Sequence, residues 1–155
     1  MNSHSANETR QIAAQVAHTL RGGDVIGLVG PLGAGKTTFV QGLAKAFGIK
    51  KKITSPTFIL LQSYTLPKPH NTITTLTHID CYRLDDPQQL IDIGLRDHLN
   101  DPHTLTVIEW ADKVKTIMPG TADWITFAHS RTTRSHTITL DKRLASIYAK
   151  ARKKS

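Results

Sequence analysis

Cysteine is almost missing from this chain of 155 residues: Cys81 stands alone, which excludes an intrachain disulfide and a disulfide-stapled fold. Long apolar runs are missing too. Nothing approaches the ~20 residues needed to span a bilayer, and Met1-Asn2-Ser3-His4-Ser5-Ala6-Asn7-Glu8 offers no apolar segment to act as a secretory signal. The expectation is a soluble, cytoplasmic protein. Acidic residues are scarce beside basic ones, 12 against 20, for a net charge of +8. The histidines are scattered without metal-ligand spacing, and no repeat or low-complexity segment appears.

The excess positive charge is uneven. Lys142, Arg143, Lys150, Arg152, Lys153 and Lys154 all follow Asp141, and Lys50-Lys51-Lys52 forms a second run. Two readings stay open for them, a solvated and partly frayed tail or a contact with RNA or an acidic partner. With 39% apolar residues the chain can bury one core and is short for two domains. The division expected is a single nucleotide-binding domain over residues 1–141, followed by a C-terminal helix and basic tail over 142–155.

What the sequence does contain is Gly30-Pro31-Leu32-Gly33-Ala34-Gly35-Lys36-Thr37, a phosphate-binding loop in the spacing G-x-x-x-x-G-K-[ST]. Glycines at 30, 33 and 35 let the backbone turn with positive φ and aim N–H groups into one concavity. A helix beginning near Gly35 adds its unpaired amides and the positive end of its dipole. Lys36 reaches the β and γ phosphates, and Thr37 offers a hydroxyl to the Mg²⁺ that bridges them. A glycine-rich helix cap alone requires neither Lys36 nor Thr37 at those offsets.

The surrounding pattern supports a three-layer α/β fold with a small mixed, partly parallel sheet. Ser5-x-x-Glu8 is a capping box opening a helix with Ile12, Val16 and Leu20 at helical spacing, closed by Gly22-Gly23. Asp24 to Val29 reads as a buried strand feeding the loop, and residues 36 to 47 as the loop's helix, ended by Gly48. Phe58 to Leu66 and Thr72 to Asp80 are strand-like and read as an antiparallel pair, with Pro67-Lys68-Pro69-His70-Asn71 as the turn. A short helix follows Pro87, and Gly94 separates it from another. Leu105 to Trp110 is a second buried strand. Strands near Trp124 to Ala128 and Thr137 to Leu140 precede a helix carrying Leu144, Ile147 and Tyr148.

A phosphate loop works with a carboxylate at the end of a neighbouring strand, which fixes Mg²⁺ relative to the γ phosphate. Glu109 follows the apolar pair Val107-Ile108, whereas Asp80 ends a half-polar strand, so Glu109 is the favoured metal-side acid. Asp80 is then a candidate for positioning or deprotonating the attacking water, or for an outer contact to the metal, with a strand-end cap as the plain alternative. Trp110 reads equally well as core filling. Arg83 can pair with Asp80, bind phosphate or form a surface ion pair.

Four segments occur in order: Gly30 to Phe39, Thr54-Ser55-Pro56-Thr57-Phe58, His78-Ile79-Asp80-Cys81-Tyr82-Arg83 and Ile108-Glu109-Trp110. Together, over residues 5 to 141, they resemble the bacterial TsaE (YjeE) ATPases of tRNA threonylcarbamoyladenosine biosynthesis. The resemblance implies a P-loop NTPase-like fold that binds ATP and Mg²⁺ through Gly33, Ala34, Gly35, Lys36, Thr37 and Thr38. It implies Thr37 and Glu109 at the metal, Asp80 needed for hydrolysis, and Thr54 to Phe58 as a segment that senses the nucleotide state. Thr9 and Arg134 look like positions that approach the nucleotide from the two chain ends, with Arg131 and His136 competing for the latter role. TsaB and TsaD are the implied partner subunits, with tRNA reached through their complex. Pro31 replaces an acidic residue often found there, at a position expected to face away from the phosphates. A small-metabolite kinase is the alternative, though Arg131 and Arg134 make a poor lid. A guanine-reading Asn/Thr-Lys-x-Asp motif is absent, which argues against a GTPase.

Overall fold

The computed structural model describes residues 1–130 and 135–152, the last two of these by backbone alone. Arg131 and Arg134 lie outside the described residues. Seven strands form one sheet: β1 (Asn2–Ser3), β2 (Val25–Val29), β3 (Leu61–His70), β4 (Ile73–Asp80), β5 (Thr104–Glu109), β6 (Asp123–His129) and β7 (His136–Leu140). Their spatial order is β1-β7-β6-β2-β5-β4-β3. The four central strands β6, β2, β5 and β4 run parallel, and the outer ones pair antiparallel. This is the mixed, partly parallel sheet of a P-loop NTPase-like fold. Parallel strands are covered on both faces, which is why β5 is buried along its whole length.

One face of the sheet carries α1 (Ala6–Ala17), α2 (Lys36–Ala46) and α5 (Lys142–Arg152) over a core that includes Ile26, Leu28, Phe39, Leu43, Val107 and Phe127. The other carries α3 (Gln88–Asp92), α4 (Leu95–Asn100) and a 3₁₀ segment (Ala111–Ile117) over Val25, Ile79, Leu90, Leu95 and Ile108. The period-two alternation within β2, Val25 to one layer and Ile26 to the other, distributes side chains between the two cores. Among the described residues no helix is long and apolar enough to cross a membrane.

The capping box at the start of α1 forms, with Ser5 Oγ accepting from the Glu8 N–H at 3.1 Å. Glu8 Oε2 returns to the N–H of His4, at 2.8 Å, rather than to that of Ser5. The helix ends sooner than its glycines suggest. Its last residue is Ala17, and Gly22 and Gly23 belong to the turns beyond it.

α1 and α2 pack unusually close because of Gly42. A β-carbon added there would lie 2.6 Å from Ala13 Cβ and 2.7 Å from the Arg10 carbonyl oxygen. Gly42→Leu is expected to destabilise the protein by about 1–3 kcal/mol or more, since the packed helices must separate to admit the side chain. A urea unfolding midpoint unchanged from the parent would contradict this.

The β3–β4 connection corrects the turn placed at Pro67 to Asn71. Strand β3 runs on through Pro67 and Pro69 to His70, and the reversal is made by Asn71 and Thr72 alone, with φ of 46° and 73°. β3 is the edge of the sheet, and its pairing with β4 shifts register between Thr65 and His70, so Pro67 and Pro69 fall in an irregular stretch where a missing N–H interrupts no regular ladder. Positive φ is unfavourable for a β-branched threonine. Thr72 is held by tertiary bonds, its hydroxyl accepting from the Gly22 N–H at 3.1 Å and its carbonyl meeting His103 Nδ1 at 3.1 Å. The start of β3 also moves: residues 57 to 60 form turns, with Leu60 at φ 62°, so pairing begins at Leu61 rather than Phe58.

At the far end, α5 is anchored to the domain rather than trailing from it. Leu144 and Tyr148 join the main core. Arg143 Nε donates to Asp123 Oδ1 at 2.6 Å and its Nη2 to Asp24 Oδ1 at 3.3 Å, so this cation is structural. Cys81 is buried, and burial with Asp80 alongside pushes its thiol pKa up to about 12, which leaves it inert.

Candidate nucleotide site

Strand β2 delivers the chain to the loop, and α2 begins where the loop ends. Gly33 and Gly35 have φ of 74° and 100°, the left-handed conformation that turns successive N–H groups inward. Gly35 caps α2, whose first-turn amides have no carbonyl partner within the helix. The side chain of Ala34 is buried in the core, so only its backbone is offered to a ligand.

A cleft of about 380 Å³ opens beside this loop, with Thr37 and Thr38 on one side, Ser55, Thr57 and Phe58 opposite, and Asp80 and Glu109 at its base. The base follows from register. Asp80 and Glu109 are the last residues of β4 and β5, and they are direct partners across those parallel strands. Both are buried, at 3% and 2% exposure. They therefore sit side by side at the carboxyl edge of the sheet, where ligands of open α/β sheets bind.

Lys36 is buried as well. Its Nζ donates to the carbonyls of Gly30 at 2.7 Å and Pro31 at 2.9 Å, and lies 3.9 Å from the centroid of the Trp110 ring. Pro31 thus takes part in the loop through its carbonyl, while its side chain is exposed. Burial lowers the Lys36 pKa from the ordinary lysine value, against the opposing pull of Glu109 and Asp80. A phosphate in the cleft would supply the anionic partner that the two carbonyls only approximate.

Thr37 Oγ1 donates to Glu109, 2.8 Å from Oε1 and 2.9 Å from Oε2. This joins the loop to the acid on β5 and leaves the hydroxyl's lone pairs unspent. Asp80 is engaged differently: Oδ1 accepts from the Tyr82 N–H at 2.8 Å, and Oδ2 accepts from Thr57 Oγ1 at 3.2 Å and from Ser55 Oγ. The two acids consequently face different neighbours, one the phosphate loop and the other the segment at 54–58.

The donor set fits Mg²⁺. A hydroxyl and carboxylates are hard oxygen ligands, and Mg²⁺ needs only one or two carboxylates when phosphates and water complete its shell. Among the described residues no group of three His, Cys, Asp or Glu could hold a metal as a closed protein cage.

Other expected residues fall around the cleft unevenly. Thr9 lies behind the loop, 3.7 Å from where a Gly35 β-carbon would stand, with its hydroxyl paired to Ser3 Oγ at 2.8 Å. His136 is on β7, its ring packed against His129. The Arg83 guanidinium stands 4.5 Å from the centroid of the exposed Phe58 ring on the cleft rim.

Two residues at the site were singled out in the sequence without a specific role. Trp110 does two things: half-buried with φ 56°, it packs against the second core layer and its ring lies under Lys36. His78 is fully buried and places Nε2 2.8 Å from Glu109 Oε1. Its signal was the two-residue step to Asp80, which puts both on one face of β4.

The comparison with known proteins agrees with this architecture. Residues 3–138 match the family described as threonylcarbamoyl adenosine biosynthesis protein TsaE. The chain belongs to the TsaE family. Proteins named tRNA threonylcarbamoyladenosine biosynthesis protein TsaE are similar to it: that of Treponema pallidum is 41% identical over 117 residues, covering 76% of this chain and 82% of the relative. That of Rickettsia bellii is 38% identical over 117 residues, covering 75% and 76%. The Bacillus subtilis protein is 36% identical over 112 residues, covering 72% and 66%. Among solved structures, the crystal structure of Bacillus subtilis YdiB superposes with a TM-score of 0.77 at 25% identity, covering 99% of this chain and 93% of that one. As a TsaE family member, the chain falls in tRNA threonylcarbamoyladenosine biosynthesis.

Proposed function

We propose that this TsaE family chain is a cytoplasmic ATPase subunit that uses ATP and Mg²⁺ to regulate or reset a TsaB–TsaD complex. That complex would modify adenosine 37 in tRNAs reading codons that start with A. The observation that carries the reading is the bond from Thr37 to Glu109, which ties a phosphate loop to a buried acid on the adjacent parallel strand.

In this reading the amides of Gly33 to Thr38 and the Lys36 ammonium bind the phosphates, and Thr37 and Glu109 hold the metal. Mg²⁺, when bound, supplies neutralisation of phosphate charge. Asp80 Oδ2 orients the attacking water and accepts its proton, for which Ser55 and Thr57 must first release that oxygen. Thr54 to Phe58 then acts as the segment that senses nucleotide state, since its hydroxyls contact the residue needed for turnover. Arg83 is stacked on Phe58 rather than directed at Asp80. Hydrolysis by the isolated chain should accordingly be weak, and a charge supplied by a partner can contribute ~10³ to 10⁵ in rate.

The test is ATP hydrolysis measured with and without purified TsaB–TsaD, followed by nucleoside analysis of the tRNA. Stimulated turnover with threonylcarbamoyladenosine formed is the expected result. Rapid phosphorylation of a small metabolite by the chain alone would replace this reading with a kinase.

A further inference from the structure

We infer that His78 is a positioning residue for Glu109, holding the carboxylate in the orientation in which it serves a divalent cation; this rests on the nucleotide reading above. Its imidazole bridges β4 to β5, with Nε2 2.8 Å from Glu109 Oε1. Facing a carboxylate, Nε2 donates. His78 is completely shielded from solvent and does not line the cleft, so it acts only through Glu109.

The pattern of bonds gives the contact its purpose. Glu109 Oε1 and Oε2 share the single hydroxyl hydrogen of Thr37 on α2, and Oε1 alone also meets His78 on β4. A carboxylate has about four lone-pair sites. Oε1, the oxygen that His78 reaches, is therefore the fixed end, and Oε2 keeps the freer electron pairs. Without His78, Thr37 would be the only described donor holding this side chain, and Thr37 is itself expected to engage the metal.

Packing alone does not account for a histidine here. The other ring nitrogen, Nδ1, is buried with no hydrogen-bond partner. Leucine would occupy a similar space with no polar atom left over. A buried polar group that forgoes one bond is explained when its second bond has a task.

The measurement is a Mg²⁺ titration of the full chain in the presence of a non-hydrolysable ATP analogue, followed by calorimetry, for the parent, His78→Leu and His78→Gln. Loss of an outer-sphere partner commonly weakens metal affinity about 10- to 100-fold, and His78→Leu should raise half-saturating Mg²⁺ by that factor. Affinity for the analogue without metal should stay unchanged. The amide of His78→Gln can reach Glu109 in place of Nε2 and should recover most of the loss. An unchanged Mg²⁺ requirement in His78→Leu overturns the inference, as does equal impairment of both variants. If the leucine variant fails to fold, the glutamine variant and the ¹⁵N spectrum of the parent decide: Nε2 of His78 must carry the proton, and a spectrum with it on Nδ1 alone overturns the assignment. A parent chain with no Mg²⁺-dependent nucleotide binding would instead remove the ATPase reading itself.

Discussion

Lys36→Ala is expected to lose ATP binding by at least about 100-fold. Hydrogen bonds to a charged partner are worth about 1.5–3 kcal/mol each, so an ammonium with two phosphate contacts accounts for roughly 10² to 10⁴ in affinity. Nothing else in the described cleft can replace it: Arg83 is stacked on Phe58 at the rim, and the base is acidic. The fold should survive, because removing Lys36 relieves a desolvated cation while sacrificing two bonds to loop carbonyls. Fluorescent-nucleotide titration beside a thermal melt separates the two effects. Retained ATP affinity would mean that the loop does not bind phosphate.

Asp80→Asn should produce the opposite division, binding spared and turnover lost. The amide oxygen can still accept from the Tyr82 N–H, and the amide nitrogen can meet the hydroxyls of Ser55 and Thr57, which reorient as acceptors. What disappears is proton-accepting capacity. A positioned general base contributes typically 10² to 10⁴ in rate, so partner-stimulated hydrolysis should fall about that far while ATP affinity stays near the parent value. Single-turnover hydrolysis in the TsaB–TsaD complex is the measurement. Normal hydrolysis would return Asp80 to a strand-end cap, and loss of ATP binding would give it a metal-holding role shared with Glu109.

The central sheet was legible wherever the local pattern and the tertiary outcome coincide. Asp24 to Val29 and Leu105 to Glu109 are short apolar runs because their strands are covered on both faces, and they emerged as β2 and β5. The β3 edge was misread because proline statistics favour a turn, whereas the edge of a sheet tolerates Pro67 and Pro69 and lets Asn71 and Thr72 make the reversal. At the site, Lys36, Thr37, Asp80 and Glu109 could be named from offsets along the chain and were brought to one cleft by strand register. The contacts made by His78 and Trp110 could not. The first works through a neighbour that is 31 positions distant, and the second depends on a left-handed backbone conformation that no composition rule assigns to tryptophan.

The tight seat of Gly42 against α1 reaches further than helix packing. Because α1 also carries Thr9 to the back of Gly35, the N-terminal helix, α2 and the phosphate loop are packed as one unit. The opposite wall at 54–58 is hooked to Asp80 by two hydroxyls, with Pro56 buried and Arg83 against the exposed Phe58 ring. A shift of this wall away from Asp80 would break the bonds from Ser55 and Thr57, so widening the site on that side and freeing its carboxylate would be a single movement.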